Sequence, residues 1–210
     1  MVKGDVHPSK IKNIIFDYGK VLVDYSLSYL YDSYFDDKEE MLWFFDHVVN
    51  ADFHHRLDMG VPTAECVADL QQEFPQYAEQ LAAYDTHYMR LLGNEIPGMR
   101  ELLRDLRHHG LHLYGLTNWG IEKFSIVRRH FEIFQLLDGE VVSGVEHVVK
   151  PYPPIFQILL DRYGLQAEEC LFTDDRADNV EGARAMGMQG VVFENAVQLR
   201  DALVNYGVIL

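Results

Sequence analysis

Five apolar, β-rich segments punctuate the chain, at residues 11–17, 111–117, 140–143, 170–173 and 190–193. Most of the stretches between them carry apolar residues at helical spacing. In PGMRELLRDLRHHG, Met99, Leu102, Leu103 and Leu106 share one face, and Gly110 supplies the stop that glycine gives a helix C-terminus. PPIFQILLDRYG opens on prolines, which a first helical turn tolerates, and ends at Gly164. DNVEGARAMG and AVQLRDALVNYG repeat the pattern. Strands alternating with helices predict a parallel sheet covered on both faces, an α/β fold of three layers.

One connection breaks the rhythm. Between Asp24 and Glu95 lie about seventy residues, where a strand-to-helix connection needs far fewer. DDKEEMLWFFDHVVN, TAECVADLQQEF and YAEQLAAYDTHYMRLL within it have the spacing of amphipathic helices. The expected organisation is therefore an α/β core from residues 1–24 and 96–210, with a helical domain, residues 25–95, inserted after the first strand.

Composition narrows the classes. With 210 residues there is room for one domain and a sizeable insertion, and 48% hydrophobic residues against 24% charged ones is a globular balance, not a disordered one. Acidic residues outnumber basic ones 33 to 18, and a net charge of -15 with no basic stripe argues against nucleic acid or anionic lipid as partner. No apolar run is long enough to span a bilayer, and MVKGDVHPSK lacks the apolar stretch of a secretory signal. Cys66 and Cys170 have no paired spacing and suggest no disulfide framework. A cytoplasmic location is expected; the oligomeric state is left open.

In a parallel sheet, chemistry gathers at the carboxyl ends of strands. The first strand ends at Asp17 in IIFDYGKVLVD, the second at Thr117-Asn118, the fourth at Asp174-Asp175, and Lys150 opens the helix after the third. Taken singly, each has a plain reading: a turn residue, a helix cap, a solvated lysine. The acid pair resists that reading, because adjacent carboxylates near a core repel unless a cation is close.

FDYGKVLVD, LTN, KPYPPIF and FTDDRADNVEGARAMGM resemble, in this order, the four signature motifs of the haloacid dehalogenase-like hydrolase superfamily, over residues 11 to about 193. The resemblance implies a Rossmann-like core with an inserted α-helical cap, and a Mg²⁺-dependent phosphatase of a small phosphorylated metabolite. It implies that Asp17 attacks phosphorus to give an aspartyl-phosphate. It implies Mg²⁺ held by Asp17, the backbone carbonyl of Gly19 and Asp175, with Asp174 and Asn179 on its inner shell or its waters. Thr117 Oγ and the Asn118 backbone N–H would bind phosphoryl oxygens, and Lys150 would offset the charge.

Two positions depart from the pattern. Gly19 stands where many relatives carry an Asp that protonates the leaving alcohol, and Tyr152 stands where an Asp usually caps the next helix, a loss of about 1 kcal/mol. The first departure keeps two alternatives open: a 2-haloacid dehalogenase, which needs neither general acid nor metal, and a non-catalytic binding protein. Lys20 reads as a solvated loop lysine or a contact to an anionic substrate. Lys150 reads as a loop-end charge whose loss harms activity but not folding. His54-His55 and His108-His109 read as surface pairs, and Trp119 as packing or site entrance. Arg56 and Asp58 are possible substrate contacts that the sequence does not single out.

Overall fold

The computed structural model describes residues 10–208; residues 1–9, where the reading for a targeting signal falls, and 209–210 lie outside them. In chain order the elements are β1 (Asn13–Phe16), β2 (Val23–Tyr25), α1 (Leu27–Tyr31), α2 (Lys38–His47), α3 (Ala51–Asp58), α4 (Thr63–Glu73), α5 (Ala78–Thr86) and β3 (Leu92–Glu95). Then follow α6 (Met99–His108), β4 (His112–Thr117), α7 (Ile121–His130), β5 (Gly139–Val142), α8 (Ser143–Glu146), α9 (Pro153–Tyr163), β6 (Cys170–Asp174), α10 (Ala177–Ala185), β7 (Gln189–Val192) and α11 (Ala196–Asn205).

The five apolar segments form one parallel sheet in the order β5-β4-β1-β6-β7. Strand side chains alternate between faces, and β1 shows the consequence. Ile14 and Phe16 join a core with Leu102, Leu103 and Leu106 of α6. Ile15 joins a second core with Ile155, Phe156 and Leu159 of α9 and Val180 of α10. Both faces of the sheet are thus covered, as the uninterrupted apolar runs predict. The expected strands shift by a residue or two at their ends: Ser143 already belongs to α8, and the fourth strand runs on to Asp174.

Gly115 on β4 is dictated by a neighbour. Tyr18 lies fully buried against it, and a Cβ there would stand 2.0 Å from the tyrosine hydroxyl. That hydroxyl donates to Glu140 Oε2 at 2.9 Å, so burial leaves it satisfied.

Five helices, α1–α5, occupy the long connection. Three of their N-termini, those of α1, α2 and α3, are marked by side chains that accept backbone N–H groups: Ser26, Asp37 and Asn50. Their core is aromatic, with Tyr31 and Phe44 edge-to-face at 5.0 Å and Tyr77 5.1 Å from Phe44. The periodicity of this region predicts helices alone, whereas its two ends are joined by an antiparallel pair. Val23 pairs with Glu95 and Tyr25 with Leu92, forming a two-stranded ribbon at the base of the segment. Among the described residues no helix is long and apolar enough to cross a membrane.

Candidate active site

The topology decides which strand ends meet. The strand order turns back on itself between β1 and β6, and such a switch point leaves a crevice outside the carboxyl ends of the two strands. Phe16 pairs with Thr173, so the next residues, Asp17 and Asp174, leave their strands side by side. Asp175 follows, and carboxylate oxygens of Asp17, Asp174 and Asp175 all lie within 4.8 Å of one another. β4 flanks β1 on its other side and delivers Thr117, almost fully buried, to the same edge.

Lys150 enters this cluster from the loop before α9. Its ammonium is 2.8 Å from Asp17 Oδ1 and 2.6 Å from Asp174 Oδ2. Its side chain is 1% exposed, which corrects the reading of it as a loop-end charge. Asn118 fixes the loop that carries it. Asn118 Oδ1 accepts the Lys150 N–H at 2.8 Å, and Asn118 Nδ2 donates to the Lys150 carbonyl at 3.1 Å. Asp174 is fully enclosed, accepting from Lys150, from Asn179 Nδ2 at 3.1 and 3.0 Å, and from the Arg176 N–H at 2.9 Å.

Burial pushes the Asp17 carboxyl up to about 7, against the opposing pull of Lys150. Burial and the neighbouring Asp174 raise Asp175. Burial pulls Lys150 down, but the charges of Asp17 and Asp174 together outweigh it and hold the ammonium above the ordinary lysine range. Three carboxylates against one ammonium leave two negative charges uncompensated in a confined space. Oxygen donors crowded in this way suit a hard divalent cation such as Mg²⁺.

A cavity of about 860 Å³ opens over the cluster, between the sheet edge and the helical segment. Asp17, Gly19, Thr117, Lys150 and Asn179 line its floor. Tyr25, Tyr84, Tyr88 and Trp119 form an aromatic wall. Gly19 has no left-handed backbone, and a Cβ built on it meets only Trp119, at 3.9 Å. Lys20 does adopt φ 60°, is exposed, and its charge reaches Asp175. Tyr152 is 61% exposed and gives α9 no side-chain cap, as expected from its sequence.

Two readings of the inserted segment change. Arg56 turns to Asp69 Oδ2 at 2.6 Å, on the surface of its own helices. His54 is not a surface residue: it lines the cavity, burial lowers its pKa, and its buried Nε2 has no partner. Asp58, the last residue of α3, also lines the cavity. A polar helix face next to an aromatic one is what a cavity wall and a solvated surface have in common, so periodicity does not separate them.

The sequence profile of the haloacid dehalogenase-like hydrolases matches residues 11–187, and the chain belongs to that family of hydrolases. It is 30% identical to flavin mononucleotide hydrolase 1 of Arabidopsis thaliana over 113 residues, 54% of this chain and 46% of that one. It is 32% identical to phosphatase MT3486 of Mycobacterium tuberculosis over 109 residues, 51% of this chain and 50% of that one. The chain thus spans about half the length of the curated relatives it matches. A HAD family enzyme from Bacteroides thetaiotaomicron, solved as a magnesium complex, shares the fold with a TM-score of 0.70 and 19% identity, over 89% of this chain and 94% of that one.

Proposed function

We propose that the chain is a Mg²⁺-dependent phosphatase of a small phosphorylated metabolite, with residues 25–95 acting as a cap over an α/β core. The observation that carries this reading is the cluster of Asp17, Asp174 and Asp175 around a single buried ammonium. A haloacid dehalogenase has no use for three converging carboxylates, and a binding module has no use for a nucleophile held against a lysine. The named activities of the relatives, a hydrolase of flavin mononucleotide and a phosphatase, point the same way.

In this reading Asp17 attacks phosphorus and carries the phosphoryl group as an acyl phosphate, a mixed anhydride of its carboxyl, until water hydrolyses it. Lys150 favours the ionised form of Asp17 against the effect of burial, holds it in place, and offsets charge on the incoming phosphate. Thr117 Oγ and the Asn118 N–H bind phosphoryl oxygens. Asp17, Asp175 and the Gly19 carbonyl would hold Mg²⁺. Asp174, whose oxygens already accept from Lys150, Asn179 and Arg176, orients Lys150 and supports the inner shell. Bound there, Mg²⁺ would supply the positive charge that the three carboxylates and a phosphate dianion lack. The helices of the cap exclude bulk water and shape the site for the leaving group.

The test is a release assay over a panel of phosphate esters and 2-haloacids, with and without Mg²⁺. Phosphate released only with Mg²⁺ supports the reading. Halide released without metal identifies a dehalogenase, and neither product identifies a binding protein.

A further inference from the structure

The floor of the cavity holds a nucleophile but no proton donor for the departing alcohol: at position 19, two residues beyond Asp17, there is a glycine. A phosphatase of alkyl esters needs such a donor, because an alkoxide is a poor leaving group. The donor can come only from the floor, the cap, the substrate or water. On the floor, Asp174 is fully enclosed and committed to Lys150, Asn179 and the Arg176 N–H, and the Lys150 ammonium is held by two carboxylates.

Two carboxyls of α3 line the cavity, and of these Asp52 is exposed to solvent while Asp58 is drawn further in. Asp58 ends α3, lines the cavity and is half-buried, and its carboxylate makes no hydrogen bond or ion pair among the described residues. It is close enough to the floor to feel the charges of Lys150, Asp17 and Arg176. Tyr25 and Tyr88, on the aromatic wall, feel its charge in turn. The turn that follows it is anchored to the α/β core. His147 Nδ1 donates to the Met59 carbonyl at 2.8 Å, and the Thr63 N–H donates to Glu122 Oε2 at 3.1 Å. Gly60 between them has φ 90° and packs so closely that a Cβ would lie 2.6 Å from the Gly144 carbonyl oxygen. Asp58 immediately precedes this anchored turn, so the helix end that carries it is tied to the α/β core. His54 serves less well. Burial keeps it neutral, and its ring is engaged with the Asn50 carbonyl, at 2.9 Å from Nδ1.

Resting on the phosphatase reading above, we propose that Asp58 is the general acid and base of the reaction, supplied by the cap in place of the side chain that Gly19 lacks. In the first step Asp17 Oδ bonds to phosphorus, the bond from phosphorus to the ester oxygen breaks, and that oxygen takes the Asp58 proton and leaves as alcohol. In the second step Asp58, now a carboxylate, takes a proton from water as the water oxygen bonds to phosphorus. The bond to Asp17 breaks, and both residues return to their starting states. The sum is ester plus water to alcohol plus inorganic phosphate. Burial, only partly offset by Lys150, pushes the Asp58 carboxyl up to about 7, so it carries a proton to give near neutral pH.

The test compares an alkyl phosphate with para-nitrophenyl phosphate, whose leaving group needs no proton, in four proteins: wild type, Asp58→Asn, Asp58→Ala, and Asp58→Asn combined with Gly19→Asp. The single variants should lose about 10²–10⁴-fold in kcat/KM toward the alkyl ester and far less toward the nitrophenyl ester. Gly19→Asp should restore part of the alkyl activity, since position 19 has room for a side chain and ordinary backbone angles. Equal losses on both esters in folded single variants, or no loss on either, would overturn the role of Asp58 and leave the phosphatase reading standing. A wild type that releases phosphate from neither ester would overturn both.

Discussion

Removing the Lys150 side chain leaves Asp17 and Asp174 facing each other with no buried cation between them. Breaking a buried ion pair in this way costs about 3–5 kcal/mol, because the remaining charges stay desolvated. Lys150→Ala should therefore lose both turnover and stability, and urea unfolding without divalent metal should show a loss of that size. Unchanged stability would mean that the carboxylates find water or protons as good as the ammonium. Asp58 makes the opposite case. Its carboxyl titrates near 7 in the fold and near 3.8 when unfolded. Between those values the folded chain keeps a proton that the unfolded chain has lost, so stability falls as pH rises, and the loss is complete above the upper value. The groups facing it are Lys150, Asp17 and Arg176, with Tyr25 and Tyr88 on the wall. Asparagine does not titrate, so Asp58→Asn should melt above wild type at about pH 8, with the difference closing toward about pH 4. A difference that does not change with pH would show that Asp58 is as well solvated in the fold as outside it.

At the scale of elements, β4 has the least tolerance. Gly115→Ala would drive a methyl into the Tyr18 ring, which is fully buried and tied through its hydroxyl to Glu140. Overpacking of this kind costs about 1–3 kcal/mol, and thermal unfolding should show it. Gly115→Ala combined with Tyr18→Phe should recover part of the loss if the hydroxyl is the main obstacle. The sheet strands were legible because each is an apolar run bounded by turn residues, and α6 because its stripe is strict. The β2–β3 ribbon was not legible: Asp24, Gly93 and Asn94 break any apolar pattern, and its two strands are brought together only by the fold of everything between them. The exposure of His54 was misread for a related reason, since a helix face turned to a polar cavity has the composition of one turned to solvent.

For the whole molecule, one topological feature organises the chemistry. The switch between β1 and β6 brings together acids that are far apart in the chain, and Lys150 reaches them from a third loop. Order along the sequence singled out these residues as candidates, but it could not say that Lys150 is enclosed or that Asp58 lines the same cavity, because both depend on how loops and helices close over the sheet edge. Cation binding should stabilise the folded state in proportion to its occupancy. Mg²⁺ should raise the melting temperature of the wild type and do so much less for Asp175→Ala; equal shifts would remove Asp175 from the ligand set. The covalent role of Asp17 is the central claim, and the most direct measurement is rapid quenching of a turnover with a good-leaving-group phosphate ester and Mg²⁺, followed by mass analysis of the peptide that contains Asp17. The expected result is one phosphoryl group on that peptide in the wild type, and neither phosphoryl group nor turnover in Asp17→Asn. Phosphate release by Asp17→Asn at near the wild-type rate would contradict it.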